Sequence, residues 1–384
     1  MDFNDFTKVE GGIFAPAEFS SNGLSCGLVE TGLLYSKTSC DAVAVFSKNM
    51  FISESLKLTQ KRIKKNKINA VFFNNGNANS CVANGYNDAE TICDKIAEAL
   101  NINSKNVIMS SSGLVGVSLK TERIKEDLGE LSDGLNPNEP TLFYRSLCDD
   151  KKFVMAECAC SYKLSGFVCK TGAVIKKTNK SFGAVNSYTC IITTDACIDK
   201  RLMERALNKV YSITLGQFET DCNSVSDIAL LISSGFAGNP KVRFENVDYE
   251  VFMNSLYFVL SNAIKELMKK QGEKVIEWVC VRAENEETAE NTVKRLSLGN
   301  ISSVFNDGIF SDLITCIGTA KGIPNISYID ISIKTSDEIE KILNKGQYAD
   351  FDSLKIEEML KSDEIKFIID LNSGDKNAVA WSSI

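Results

Sequence analysis

The sequence predicts a mixed α/β protein with layered mixed sheets and outer helices. Three observations carry this. Short β-branched or aromatic runs alternate with helical ones, several joins look like hairpins, and the composition is globular. Of 384 residues, 44% are hydrophobic and 24% charged, enough to bury large cores. Roughly 100–200 residues per domain gives about two or three structural units. No Ser/Pro linker, internal repeat or low-complexity tract divides the chain.

In chain order, Ala42–Phe46 and Ile68–Phe73 are short apolar runs bounded by polar residues, which reads as strand. Residues 86–100 read as a helix, because Ile92, Ile96, Ala97 and Leu100 recur at helical spacing behind an acidic first turn. Val107–Met109 is a further strand ending in the polar turn Ser110–Gly113, and residues 120–130 form a charged helix. Phe167–Ile175 has strand character around Gly172, as in a hairpin. Ser187–Thr194 is β-rich and runs into an N-cap at Thr193, Thr194 and Asp195. Residues 199–212, 248–271 and 286–298 read as helices, the last with Glu286, Glu287 and Glu290 near its start. Ile326–Ile333 and Ile365–Leu371 are late strands.

Composition narrows the chemistry. The formal net charge is −7, which argues against nucleic acid as a partner. The chain contains no histidine. That removes a Ser-His-Asp triad, a Cys-His dyad and every His-ligated metal site. Thirteen cysteines are scattered from Cys26 to Cys316 without a CxxC pair, and Cys158 and Cys160 stand too close for the usual metal spacing. Reduced, buried thiols and no metal are therefore expected. The acidic N-terminus lacks a signal pattern, and the most apolar stretch, 251–264, is interrupted by Asn254, Ser255 and Asn262. A cytoplasmic protein with no membrane partner follows as the expectation.

Three polar constellations are candidates for chemistry. Asn74–Asn79 packs four Asn into six residues after a strand, which suits either an elaborate turn or a ligand-facing loop. Ser110–Gly116 is a small-residue run in which backbone amides and a hydroxyl can converge on an oxyanion. A phosphate cradle is the weaker alternative, since no P-loop lysine follows the glycines. Lys176–Lys180, with Asn186–Thr189 beyond it, is either a solvated lysine cluster or a partner for a carboxylate. Without histidine, a hydroxyl nucleophile can gain a base from a free α-amine on its own residue, whose pKa near 8 suits proton abstraction. That requires the chain to be cut just before it. Asn186-Ser187 is chemically suitable, though other serines are not excluded on these grounds.

Taken together the motifs resemble the ornithine acetyltransferase / glutamate N-acetyltransferase family, self-cleaving N-terminal-nucleophile enzymes of arginine biosynthesis. Gly12–Pro16 matches its early Gly-x-x-Ala-Pro, and Ala44–Asn49 looks like its Gly-Val-Phe-Thr-Thr-Asn. Asn74–Cys81 is very close to its Asn-Ser-Gly-Asn-Ala-Asn-Ala-Cys, the most specific of the matches. Ser111–Gly116 resembles its Ser-Thr-Gly-Val-Ile-Gly, Ile192–Ala196 its segment after the nucleophile, and Val379–Trp381 its Thr-Ala-Trp.

The resemblance implies a fold like those of ornithine acetyltransferase and DmpA. It implies a precursor split into an α chain, 1–186, and a β chain, 187–384. Aligned without gaps through Ile192–Ala196, the family nucleophile falls on Ser187 and its lysine on Lys176. Ser112 and Gly113 would form the oxyanion hole, and Lys176, Glu273 and Asn77 would bind substrate. Cleavage between Asn186 and Ser187 would free the nucleophile. An acetyl group would then pass from N-acetylornithine to glutamate through an acetyl-enzyme, with no cofactor beyond acetyl-CoA as a co-substrate of the family's second activity. The partners implied are small amino-acid substrates and an α2β2 heterotetramer of the cleaved chains.

Several positions depart from the pattern. Lys177, Thr178 and Asn179 replace Gly-Ser-Gly, Asn186-Ser187 replaces Ala-Thr, Ala156–Ala159 stands where Thr-Thr-Asp-Thr is usual, and Gly308–Asp312 replaces Asp-Pro-Asn-Trp-Gly. The sequence ends at Ile384, short of the family's final Asn-Ala-x-Tyr segment. A non-catalytic binding or regulatory member, or one acting on another acyl amino acid, is the alternative expectation.

Overall fold

The computed structural model describes residues 5–25, 30–148, 153–178, 187–218, 224–297, 310–323 and 325–383. It comprises two compact units: Met1–Tyr211 with Thr220–Leu267, and Ser212–Glu219 with Met268–Ile384.

The first unit is built on a nine-stranded mixed sheet. Its strands are β1 (Thr7–Val9), β2 (Phe19–Ser25), β3 (Glu30–Phe46), β4 (Ile68–Asn77), β5 (Val107–Leu114), β6 (Phe153–Leu164), β7 (Phe167–Thr178), β8 (Tyr188–Thr194) and β9 (Ile228–Ser233). The order is β1-β6-β7-β8-β9-β3-β4-β5, with β2 on β3. The long β3 makes this possible. Its first half pairs with β2 and β4, and its second half, Asp41–Phe46, pairs with β9. β4 with β5 and β8 with β9 are the parallel pairs.

Alternation along β4 sends Ala70 and Phe72 to one face and Val71 and Phe73 to the other. The first face packs on α1 (Glu54–Lys65), α2 (Gly85–Leu100) and α3 (Thr121–Asp133) through Leu58, Ile92, Ile96, Ile124 and Leu131. The second face buries Val71 and Phe73 with Val174, Ile191 and Leu230, and with Phe143 and Leu147 of α4 (Thr141–Leu147). Two further helices, α5 (Lys200–Ser212) and α6 (Val247–Lys270), follow β8 and β9.

The second unit carries a six-stranded sheet of order β13-β12-β11-β14-β10-β15. Its strands are β10 (Val275–Ala283), β11 (Asp330–Lys334), β12 (Ile339–Asn344), β13 (Gln347–Tyr348), β14 (Glu364–Asp370) and β15 (Lys376–Ser383). Trp278 stacks on Phe367 at 4.7 Å between ring centroids. The sheet's core also takes Ala289, Val293 and Leu296 from α7 (Glu286–Ser297), Leu313 and Ile317 from α8 (Ser311–Gly318), and Ile356 and Met359 from α9 (Ser353–Met359). Asp352 caps α9 by accepting from the Leu354 and Lys355 N–H groups. Among the described residues no helix is long and apolar enough to cross a membrane.

Four local expectations are corrected. The asparagine and serine runs are not loops after strands. β4 continues to Asn77 and β5 to Leu114, because Asn74–Asn77 pair in register with Ser111–Leu114. Gly172 is not a hairpin turn. The β6–β7 turn is at Ser165 and Gly166, both at positive φ, and Gly172 lies mid-strand, where a Cβ would sit 1.9 Å from the Gly12 carbonyl oxygen. Asp195 caps no helix. Its carboxylate accepts instead from the N–H groups of Lys170 (2.7 Å) and Ala17 (3.2 Å). Ile326–Tyr328 forms a single helical turn, and the late strand starts at Asp330.

Candidate active site

The site is assembled where β4 and β5 end side by side. Their register sets Asn75 opposite Ser112 and Gly76 opposite Gly113. The two glycines are needed there. Gly113 has φ +131°, and a Cβ on it would lie 2.4 Å from the Gly76 carbonyl carbon.

Much of the surrounding polarity is structural. Asn74 donates to Asn77 Oδ1 (2.9 Å), Asn77 Nδ2 donates to the Val117 carbonyl (3.0 Å), and Asn79 donates to Ser55 Oγ and the Gly85 carbonyl. Ser111 Oγ is bonded to Ser55 Oγ at 2.9 Å. These bonds engage side chains that are buried with the strand ends, although the carboxamide oxygens of Asn74 and Asn79 have no partner among the described residues.

Three side chains converge. Lys176 reaches in from β7, and its Nζ donates to Asn75 Oδ1 (2.6 Å) and Ser112 Oγ (3.0 Å). Ser112 Oγ in turn donates to Asn75 Oδ1 (2.5 Å). Asn75 is held by its own donation to the Ser146 carbonyl. The ammonium also lies 4.1 Å from the centroid of the Phe153 ring. Lys176 is only 3% exposed, and burial pulls its pKa from 10.5 down to about 8, with Cys148 and Glu30 opposing. It is a buried cation, not part of a solvated lysine cluster.

Ser187 stands at the entry to β8. The Thr178 N–H and hydroxyl donate to its carbonyl (2.9 and 3.2 Å), and its own N–H donates to Thr178 Oγ1 (3.1 Å). Thr189 is paired with Lys176 across β7 and β8. Thr189 and Lys176 therefore share one face of the sheet, and Ser187 lies just before β8, bonded to Thr178 of β7. The Ser187 hydroxyl donates to Asp227 Oδ1 at 3.2 Å. Asp227 is 2% exposed, and it also accepts from the N–H groups of Tyr188 (3.0 Å) and Ser224 (2.9 Å).

The structure thus brings Ser112 and Lys176 into direct contact and sets Ser187 at the entry to the strand that pairs with the Lys176 strand. Asn77 is near in sequence, but its amide is taken up by Asn74 and Val117. Glu273 belongs to the second unit, in the turn after α6, where its N–H donates to the Met268 carbonyl. Asn186 lies outside the described residues. Two residues escaped sequence reasoning. Asn75 was one of four asparagines with nothing to rank it. Asp227 is a single acidic residue before the largely apolar strand β9, and that contrast was its only signal.

Thiols offer no competing nucleophile at Cys40, Cys93 or Cys158. Burial pushes them up to about 11, 12 and 11, so they stay protonated at neutral pH.

The arginine biosynthesis bifunctional protein ArgJ of Caldanaerobacter subterraneus is 24% identical over 385 residues, covering 97% of this chain and 95% of that protein. The glutamate N-acetyltransferase of Methanocaldococcus jannaschii is 26% identical over 387 residues, with the same coverage of 97% and 95%. The crystal structure of the arginine biosynthesis bifunctional protein argJ from Bacillus halodurans matches 43% of this chain and 90% of its own, at 22% identity and a TM-score of 0.39. The ArgJ family model matches residues 20–383, from β2 to the last strand and across both polar strand ends, and the chain belongs to the ArgJ family.

Proposed function

We propose that this protein is an acyltransferase of arginine biosynthesis that moves an acetyl group from N-acetylornithine to glutamate on the Ser187 hydroxyl. The reading follows the names carried by its relatives and the placement of Ser187. The carrying observation is that Lys176, whose ammonium holds Ser112 and Asn75, comes from the strand paired with the one that Ser187 enters.

The precursor cuts itself between Asn186 and Ser187 into an α chain, 1–186, and a β chain, 187–384. The freed α-amine of Ser187 then takes the proton of its own hydroxyl, which attacks the acetyl carbonyl. Ser112 and Gly113 stabilise the oxyanion. Ornithine leaves, and glutamate accepts the acetyl group from the enzyme. Lys176 meets a substrate carboxylate, with Glu273 and Asn77 as further substrate contacts. Acetyl-CoA serves as co-substrate where the second activity is retained. The cleaved chains associate as an α2β2 heterotetramer, and the work is done in the cytoplasm.

Intact mass tests this directly. Cut in proportion to length, the 42.2 kDa chain gives fragments of about 20 and 22 kDa, the larger beginning at Ser187. Ser187→Ala should remain one chain and transfer no acetyl group. A fragment beginning at Thr189 would move the nucleophile without changing the class. A wild-type protein that stays whole through folding and storage would overturn the catalytic reading in favour of a binding or regulatory role.

A further inference from the structure

Self-cleavage raises a question that acetyl transfer does not. Before the chain is cut, the nitrogen of Ser187 is an amide and cannot act as a base. Another group must take the hydroxyl proton, and histidine is absent from the sequence. Lys176 comes from the neighbouring strand, but its Nζ is engaged with Asn75 and Ser112. The Thr178 hydroxyl is spent on the Ser187 backbone. The group that receives the Ser187 hydroxyl is the buried carboxylate of Asp227.

We propose that Asp227 is the catalytic base of self-cleavage, a role that rests on the reading of Ser187 as a self-released nucleophile. Its placement is built in by the parallel pairing of β8 and β9. Thr189 lies opposite Ile228, so Asp227 falls level with Tyr188 and beside Ser187, at the same end of the two strands. Two backbone donors, from Tyr188 and Ser224, fix the carboxylate in place. With Oδ1 as the acceptor at 3.2 Å, the Ser187 hydroxyl points its proton at the carboxylate.

The step balances within the chain. The Ser187 Oγ–H bond breaks and its proton goes to the Asp227 carboxylate. Oγ bonds to the carbonyl carbon that precedes Ser187. The C–N bond of that peptide then breaks, and the nitrogen leaves with the proton returned from Asp227. Water hydrolyses the resulting ester to a carboxylate and restores the Ser187 hydroxyl, now beside a free α-amine. In later turnovers that amine is available, and Asp227 serves to hold the hydroxyl.

The test follows the full-length chain as it is cut. Wild type, Asp227→Asn, Asp227→Ala and Ser187→Ala are pulse-labelled in cell-free translation, and precursor loss is read on denaturing gels. Thermal melts check that each variant folds. General-base catalysis is worth about 10²–10⁴-fold, so Asp227→Asn should be cut at least about 10²-fold more slowly than wild type. Added formate should speed cleavage of Asp227→Ala at least about 10-fold and leave Ser187→Ala untouched, a response that a merely structural carboxylate would not give. Should Asp227→Ala not fold, Asp227→Asn decides, because it keeps the shape and the acceptor oxygen. If either folded Asp227 variant is cut within about threefold of the wild-type rate, or folded Asp227→Ala ignores formate, Asp227 is not the base, while the reading of Ser187 stands. A wild type that is never cut sinks both together.

Discussion

Lys176→Met tests whether a buried ammonium is held in the site at a cost. In the fold its pKa is about 8 against 10.5, because burial outweighs the pull of Cys148 and Glu30. Each unit is about 1.4 kcal/mol, so the charged form costs about 3 kcal/mol. The sign follows from linkage. This pKa is depressed on folding, so below pH 8 both states are protonated and the whole cost is present. Between pH 8 and 10.5 the folded chain gives up its proton first, and the cost fades. Methionine removes the charge and the cost. It also removes the amine's bonds to Asn75 and Ser112, about 0.5–1.5 kcal/mol each. The variant should therefore be more stable than its parent at pH 7 by about 1 kcal/mol, or about 2–4 °C in melting temperature. By pH 10.5 the order should reverse, since only the lost bonds remain. Both proteins should carry Ser187→Ala, so that chain cleavage cannot differ between them. Scanning calorimetry at pH 7, 8.5 and 10 reads the crossing. A variant that melts lower than its parent by the same margin at every pH would refute the claim that the lysine is charged and poorly solvated.

Two further outcomes follow from the strand ends. Ser112→Ala removes the hydroxyl between Lys176 and Asn75, and should cut acetyl-transfer turnover about 10²–10³-fold with the fold kept, since Lys176 retains Asn75; unchanged kcat would take Ser112 out of the mechanism. Gly113→Ala forces a Cβ against the Gly76 backbone at φ +131°, so it should lower the melting temperature and the soluble yield, whereas an unchanged melt would show that the two strands do not end in contact.

Why part of this was legible in the sequence is a matter of locality. The helix at 86–100 came from its own apolar spacing, and the structure forms it over Gly85–Leu100. The late strand from Ile365 came from its run of apolar residues, and it stands as Glu364–Asp370. These elements satisfy themselves within a few residues. The ends of β4 and β5 do not. Asn, Gly and Ser are depleted in strands on average, so Asn74–Asn77 and Ser110–Gly113 read as turns. What keeps them extended is backbone pairing to a partner more than thirty residues away, which no local window contains. Gly172 misled for the same reason. Its meaning lies in the Gly12 carbonyl that crosses it, far off in the chain.

The same distinction separates the site residues. Ser112, Lys176 and Ser187 were reached because motif order carries the memory of a shared fold, even where the residues beside them have changed. Asp227 and Asn75 are defined by what they touch. Asn75 stands among three other asparagines whose amides hold up the strand end, and only the arrival of Lys176 from β7 distinguishes it. Asp227 becomes distinctive only when β9 is laid parallel to β8 and the residues before the two strands meet. In a chain without histidine, that meeting matters. A carboxylate or an amine can serve as the base for a hydroxyl once the fold sets it beside that hydroxyl. With Ser187 as the proposed nucleophile, strand order would do here what a histidine does elsewhere, by setting a carboxylate beside the hydroxyl at the end of two parallel strands.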